Sequence, residues 1–397
     1  SWAYYEYNFT VPPGMDPDLK YPKDFAGSRR NIQFKLISES SNGDYLFLDD
    51  MKLERRNQIN PTAFSDDTVQ RLKEYNPGVI RYMATQHGAG LEGQTGSPYA
   101  QGFSGWQTSQ KNGIYYYTLH EFLQLSKEVG ADPWYSMPPT YNETDTKNII
   151  DFLSGPTSTV YGARRAALGH PAPWTDDFTN IYLEWGNEEW GSADGGDIMA
   201  GASVSGGERL GFLANQSFKT MRNSPNFNNK IKLIIGGQSG WVGQNDYIEK
   251  NSDNHDFLVL APYFNPPNVG TINTVDTETI FSYLYAYPTY STKYGNVKQI
   301  KDVLNSHGKG TELGIYEINF HSNGPANEGL PIPDRNKVLA GQGGGIAMPL
   351  NMLTYAKVLG VKAQTSFTFA QYSVGVWYGT INDKIRIWGM LADITDA

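Results

Sequence analysis

Two carboxylates stand out because of what precedes them. Glu188 closes the run Ile181-Tyr-Leu-Glu-Trp-Gly-Asn187-Glu188, an apolar strand that enters a glycine turn and then presents an amide beside a carboxylate. Glu317 ends a second apolar run, Leu313-Gly-Ile-Tyr-Glu317. Cleaving an acetal requires one carboxylic acid to protonate the leaving oxygen and one carboxylate to attack or to activate water. A single Glu at a strand end serves equally well in a structural ion pair, but two on one face of one sheet favour chemistry. Arg81 ends a third strand, Val79-Ile80-Arg81-Tyr82-Met83. There its guanidinium can grip a carboxylate with two N–H groups and hold it ionised, or form a salt bridge behind the site.

Flat side chains gather around these positions. Trp106, Trp134, Trp174, Trp190 and Trp241 fall in or near the strand-to-helix loops, where indole rings can stack on sugar rings. Trp is also a common core residue, and about half of the five are expected in the cleft. His321 follows Glu317 closely enough to reach a ligand or tune a carboxylate, or to be a solvated loop histidine. Other chemistries lack their signatures. His120-Glu121 has no second His to complete a zinc-peptidase motif, no G-x-S-x-G elbow occurs, and the glycine run Gly341 to Gly345 lacks the Lys-Ser/Thr of a phosphate loop.

Composition narrows the classes further. The chain has 397 residues, 41 acidic against 32 basic side chains, a formal net charge of −9 and no cysteine. That charge leaves no basic field to collect phosphates, so nucleic acids and anionic membrane surfaces are poor partners. Without cysteine there is no disulfide, thiol nucleophile or cysteine-ligated metal, and neither a metal nor a cofactor is expected. No apolar run approaches the roughly 20 residues of a membrane span, and Ser1 opens no signal sequence. Aromatic residues at 13% beside only 18% charged suit a neutral, hydroxyl-rich ligand as well as an aromatic core.

The elements that must hold these residues follow from periodicity. Residues 1–57 read as a small β-module, with alternation at Tyr5 to Phe9, Ile32 to Leu36 and Tyr45 to Leu53. From residue 58 to 397 strands alternate with amphipathic helices, the signature of βα units on a parallel sheet. Ser65 caps a helix with a stripe of Val69, Leu72 and Tyr75, and Asn76-Pro77-Gly78 stops it. Thr118 and Glu121 form a capping box for a helix closed by Gly130. Val297, Ile300 and Leu304 mark a helix ending at Gly308, and Ile346 to Leu359 another ending at Gly360. Strands are expected at 79–83, 133–137, 181–185, 231–235, 257–263, 313–317 and 363–369. Seven such strands make an α/β fold, a (β/α)8 TIM barrel short of its first strand.

In this order and context, Trp185-Gly-Asn187-Glu188 followed by Glu317 resembles the acid/base and nucleophile strands of the clan A retaining glycoside hydrolases. Within the clan, Pro77-Gly-Val-Ile-Arg81-Tyr82, His120-Glu121-Phe122-Leu123 and Gly130-Ala131-Asp132-Pro133 resemble the α-L-arabinofuranosidase and endoglucanase family 51, over roughly residues 45 to 375. The resemblance implies Glu188 as acid/base, Glu317 as nucleophile, Arg81 as its ionising partner, Asn187 as donor to the sugar 2-hydroxyl and Tyr263 as a donor to the nucleophile. It departs at Met83-Ala84-Thr85, where the family has Pro-Gly-Gly, and at Ile318 and Ala261. It also likens Tyr45 to Leu53 to the closing strands of a carbohydrate-binding β-sandwich. The activity it implies is double-displacement cleavage of an extracellular cell-wall polysaccharide. Endo-β-glycanase action is the first expectation and α-L-arabinofuranosidase the second, with a non-catalytic carbohydrate-binding barrel as the alternative of another class.

Overall fold

The computed structural model describes residues 4–8, 58–83, 90–96, 117–191, 204–264, 277–320 and 341–369, with the pairs 103–104, 113–114, 372–373 and 386–387 and Met390. Seven parallel strands form one sheet, hydrogen-bonded in chain order: β1 (Val79–Tyr82), β2 (Asp132–Met137), β3 (Ile181–Trp185), β4 (Ile231–Gly236), β5 (Phe257–Leu260), β6 (Glu312–Ile318) and β7 (Gln364–Ser366). β1 also lies against β7, so the sheet rolls into a nearly closed (β/α)8-type barrel with seven strands among the described residues. Each expected strand is present, though β1 ends one residue early, at Tyr82, and two others are markedly shorter than read. β5 stops at Leu260, beyond which only the bridge between Phe264 and Phe320 persists, and β7 stops at Ser366.

Among the described residues the helices of eight residues or more are α1 (Asp66–Tyr75), α2 (Leu119–Val129), α3 (Glu143–Ser154), α4 (Val160–Ala167), α5 (Val204–Arg222), α6 (Val242–Asn251), α7 (Thr277–Lys293), α8 (Asn296–His307) and α9 (Gln342–Thr354). Their ends are set by the residues that sequence singles out. The Ser65 hydroxyl accepts from the Thr68 amide, and Asn76 ends α1 in the left-handed region at φ 53°. The Thr118 amide donates to the Glu121 carboxylate at 2.7 Å, and Gly130 (φ 77°) and Gly308 (φ 65°) close α2 and α8.

Three expectations need correction. Val69 and Leu72 pack on Leu125 and Val129 of α2, but Tyr75 is 46% exposed. It is the last residue of α1, past that contact, where it meets the edge of Phe369 at 5.9 Å and its hydroxyl donates to Met390 Sδ at 3.1 Å. α9 begins at Gln342 rather than Ile346, because the glycine run is helical. A Cβ on Gly343 would sit 2.3 Å from the Phe281 ring of α7, so the run serves close helix packing. Residues 4–8 form no strand, and Tyr4, Tyr5 and Tyr7 are exposed. An alternating segment needs a neighbouring edge to become a strand, and among the described residues none pairs with it. The rest of the expected module at 1–57 lies outside the described residues.

Strand parity divides the interior in two. Trp134, Tyr182, Ile234, Phe257, Val259, Tyr316 and Ala363 fill the lumen, whereas Tyr135, Leu183, Ile235, Leu258, Ile315 and Ile318 face the helices. In a barrel of parallel strands the C-terminal strand ends and the loops after them share one rim.

Candidate active site

Arg81 is the centre of a buried cluster on that rim. Its side chain points into the lumen and is 5% exposed. Nε and Nη2 donate to the two oxygens of Glu184 at 2.8 and 3.0 Å, Nη1 donates to Glu317 Oε1 at 2.8 Å, and Nη2 also donates to Asn187 Oδ1 at 2.6 Å. The guanidinium carbon lies 4.8 Å from the Tyr316 ring centroid, a cation–π contact. Burial works against the charge, but the two carboxylates outweigh it and raise the arginine's pKa, so it stays a cation.

Glu317 reaches the cluster through an irregularity in β6. Ile315 pairs with Gln364 and Ile318 with Ser366, so three residue steps on β6 face two on β7. Both isoleucines point to the helices, and the bulge between them turns Tyr316 and Glu317 together towards the lumen and rim. The Tyr316 carbonyl is taken up by the Thr365 hydroxyl. Glu317 Oε1 then accepts from Arg81 and Oε2 from the Tyr263 hydroxyl at 2.7 Å. Burial raises the Glu317 carboxyl above the ordinary carboxylate value, with Arg81 and Tyr263 pulling against it. The Tyr263 phenol is pushed up by burial and by the neighbouring Glu317 and Glu188, which keeps it a proton donor.

Glu188 follows the turn after β3. Gly186 takes φ 71°, and a Cβ there would meet the Glu189 side chain at 2.3 Å, so both backbone and space require glycine. Glu188 itself lies at φ 54°, a left-handed conformation uncommon for a side chain of its size. Its Oε1 accepts from the Tyr316 hydroxyl at 3.0 Å, and that hydroxyl accepts from Trp190 Nε1 at 3.1 Å. An indole N–H can only donate, so the chain Trp190 to Tyr316 to Glu188 fixes Oε1 as an acceptor. A proton carried by Glu188 then belongs on Oε2. Burial and both glutamates raise the Tyr316 pKa, so its hydroxyl keeps its proton.

Arg81, Asn187, Glu188, Tyr263 and Glu317 are therefore one constellation, and Trp190 supports it. Trp241 opens α6 after β4, on the same rim, and is 38% exposed. Trp134 is not a cleft residue. It sits mid-strand with its ring in the lumen, fully buried, and its Nε1 donates to Glu184 Oε2 at 2.9 Å. Trp174 is buried as well, stacked on His170 with centroids 3.6 Å apart. Trp106 and His321 lie outside the described residues. Sequence reading missed Glu184 and Tyr316. Glu184 is fully buried and accepts from Arg81, Trp134 and the Ser136 hydroxyl (2.7 Å). Its signal was a carboxylate inside an apolar strand, which burial tolerates only with partners of this kind. Among the described residues no group of three His, Cys, Asp or Glu stands where it could hold a metal ion, and no helix is long and apolar enough to cross a membrane.

No protein-family model matches the chain. An extracellular exo-α-L-arabinofuranosidase of Streptomyces chartreusis is 31% identical over 101 residues, 21% of this chain and 11% of the relative. A family 51 arabinofuranosidase from Xanthomonas axonopodis pv. citri superposes with TM-score 0.58 at 15% identity, over 79% of this chain and 62% of its own. A family 51 α-L-arabinofuranosidase from Bifidobacterium longum gives 0.58 at 16%, over 79% and 63%. The chain thus matches only a small part of the curated relative and under two thirds of the solved structures. These proteins bear the name of the second activity expected from sequence rather than the first. The chain has the (β/α)8 fold of the clan A, family 51 arabinofuranosidases.

Proposed function

We propose that the chain carries the catalytic site of a retaining glycoside hydrolase that releases α-L-arabinofuranosyl residues from neutral polysaccharide. The observation that carries this reading is the cluster on the rim. One carboxylate, Glu317, has both oxygens held by Arg81 and Tyr263, and the other, Glu188, is held through one oxygen by Tyr316. The names of the similar proteins favour an arabinofuranosidase over an endo-β-glycanase, and the relative described as extracellular favours action outside the cell.

Glu317, ionised, attacks the anomeric carbon as Glu188 protonates the departing oxygen from Oε2, giving a glycosyl ester on Glu317. Glu188, now a carboxylate, takes a proton from water, which attacks the same carbon and frees Glu317. Arg81 and Tyr263 orient the nucleophile, and their donors stabilise its charge before attack and as it leaves. Asn187 uses its oxygen on Arg81, which leaves its amide N–H groups for the sugar 2-hydroxyl.

The test is a substrate panel. The protein is incubated with aryl α-L-arabinofuranosides, aryl β-glycosides, arabinan, arabinoxylan and β-glucan, and the first-formed anomer is read by NMR. Release of arabinose with retained configuration is expected. Cleavage of β-glucan or xylan backbones without arabinose release would restore the endo-acting reading. A folded protein that binds glycans and cleaves none would make it a carbohydrate-binding barrel.

A further inference from the structure

A cavity of about 360 Å³ opens on the same rim, beside the acetal-cleaving residues but not part of them. Its size is within the roughly 300–1,000 Å³ of small-molecule sites. Its walls come from the loop after β4, the end of β5 and the junction of α7 with α8. Tyr287 and Tyr290 are three residues apart on one face of α7, Tyr294 follows just past the helix end, and Tyr263 closes the side towards Glu317.

The lining has a definite chemistry. No charged side chain lines it among the described residues, so it offers nothing to a phosphate, a carboxylate or an amine. It offers phenol rings and hydroxyls instead. Tyr290 and Tyr294 are 58% and 68% exposed, their rings 6.1 Å apart and tilted by 48°, which leaves aromatic faces open to a ligand. Tyr287 is braced from behind by stacking on Phe264 at 5.5 Å. The junction is fixed in advance, because Asn296 Nδ2 donates to the Gly240 carbonyl at 3.0 Å and Gln299 Nε2 to the Tyr294 carbonyl at 3.1 Å. Each amide spends its nitrogen on the wall, and its oxygen is an acceptor for a hydroxyl. Aromatic faces, neutral acceptors and the absence of charge suit a neutral sugar ring.

Tyr263 connects this cavity to the reaction, since it lines the wall and its hydroxyl donates to Glu317. A ring in the cavity is therefore one side chain away from the nucleophile. We propose that the cavity binds a neutral sugar residue of the polysaccharide chain that bears the cleaved arabinosyl unit. This rests on the arabinofuranosidase reading given above.

The test compares the wild type with the double variant Tyr290→Ala/Tyr294→Ala on an aryl α-L-arabinofuranoside, which has no sugar for the cavity, and on arabinosylated xylo- and arabino-oligosaccharides. KM for the oligosaccharides should rise about tenfold with kcat nearly unchanged, the scale of a lost aromatic contact. The aryl substrate should be processed as before, which also shows that the variant folds. Tyr290→Phe/Tyr294→Phe, which keeps the rings, should retain most of the oligosaccharide affinity. Unchanged oligosaccharide KM in the alanine variant, or equal losses on both substrates, would overturn the proposal. If the wild type cleaves no arabinofuranoside, the functional reading fails by itself. Titration calorimetry of the same oligosaccharides against wild type and alanine variant then decides the cavity, with equal affinities counting against it.

Discussion

Glu317 and Glu249 are both buried glutamates met by several donors, at opposite ends of the barrel, and their ionisation is pushed in opposite directions. Glu249, near the end of α6, receives the His255 ring at 2.9 Å on one oxygen and the Thr311 hydroxyl at 2.7 Å on the other. Burial raises its pKa, but His255, Thr311 and Lys309 together lower it below the ordinary value. Glu317 has an arginine and a tyrosine, yet burial wins and its pKa goes up. The difference lies in the arginine, which Glu317 shares with Glu184 and Asn187. One end of the barrel neutralises its carboxylate, and the rim proposed as the active site leaves its carboxylate under-neutralised.

Activity should break on one side of this comparison and stability on the other. Glu317→Ala is expected to lower kcat/KM on aryl arabinofuranosides about 10⁴-fold with the fold intact by circular dichroism. Glu188→Ala should lose about 10²–10⁴-fold on substrates with poor leaving groups. Azide should rescue it on an activated aryl substrate, giving an arabinosyl azide of unchanged anomeric configuration. Glu249→Ala, in contrast, should cost about 3 kcal/mol in denaturant unfolding, the scale of breaking a buried pair, while activity per folded molecule is retained.

The pH dependence sharpens the contrast. In the proposed mechanism activity requires Glu317 ionised, so it should fall as pH drops through that residue's raised pKa. Arg81→Met removes a group that lowers this pKa and should move the acidic limb of kcat/KM further up, whereas Arg81→Lys should move it less. An unmoved limb in the methionine variant would end Arg81's role as ionising partner. Stability follows the same signs. The lowered pKa of Glu249 contributes stability above the unfolded carboxylate value, which is lost as pH falls through the folded value. The raised pKa of Glu317 favours folding only while the residue is protonated, and that contribution is lost as pH rises through the folded value. At neutral pH its charge is a cost, so Glu317→Gln should be inactive yet more stable by about 1 kcal/mol, roughly 1–2 °C in Tm, with Arg81 still paired to Glu184.

Much of this molecule was legible in the chain. Apolar runs bounded by glycine and asparagine marked all seven strands, and caps such as Ser65, Thr118 and Gly130 sit where the helices begin and end. Arg81, Asn187, Glu188, Tyr263 and Glu317 were singled out from strand-end positions or from a resemblance, and the fold brings them together. Trp134 was misread because a strand buried on both faces shows no polar alternation. Nothing local told whether its ring faced the lumen, the helices or the rim. Glu184 was passed over for the same reason, as its partners Arg81, Trp134 and Ser136 come from two other strands. The bulge that brings Tyr316 and Glu317 to one side has no signature in Leu313 to Ile318, since it arises from pairing with β7.

The central claim, that Glu317 becomes covalently glycosylated while Glu188 handles the protons, is tested most directly by trapping the ester. In Glu188→Ala an activated aryl α-L-arabinofuranoside needs no protonation to leave, but water attacks the ester slowly, so the intermediate should accumulate. Peptide mass spectrometry after an acid quench should then find one pentosyl unit on the peptide containing Glu317. A burst of aryl alcohol with no covalent adduct, or an adduct on another carboxylate such as Glu184, would contradict the account.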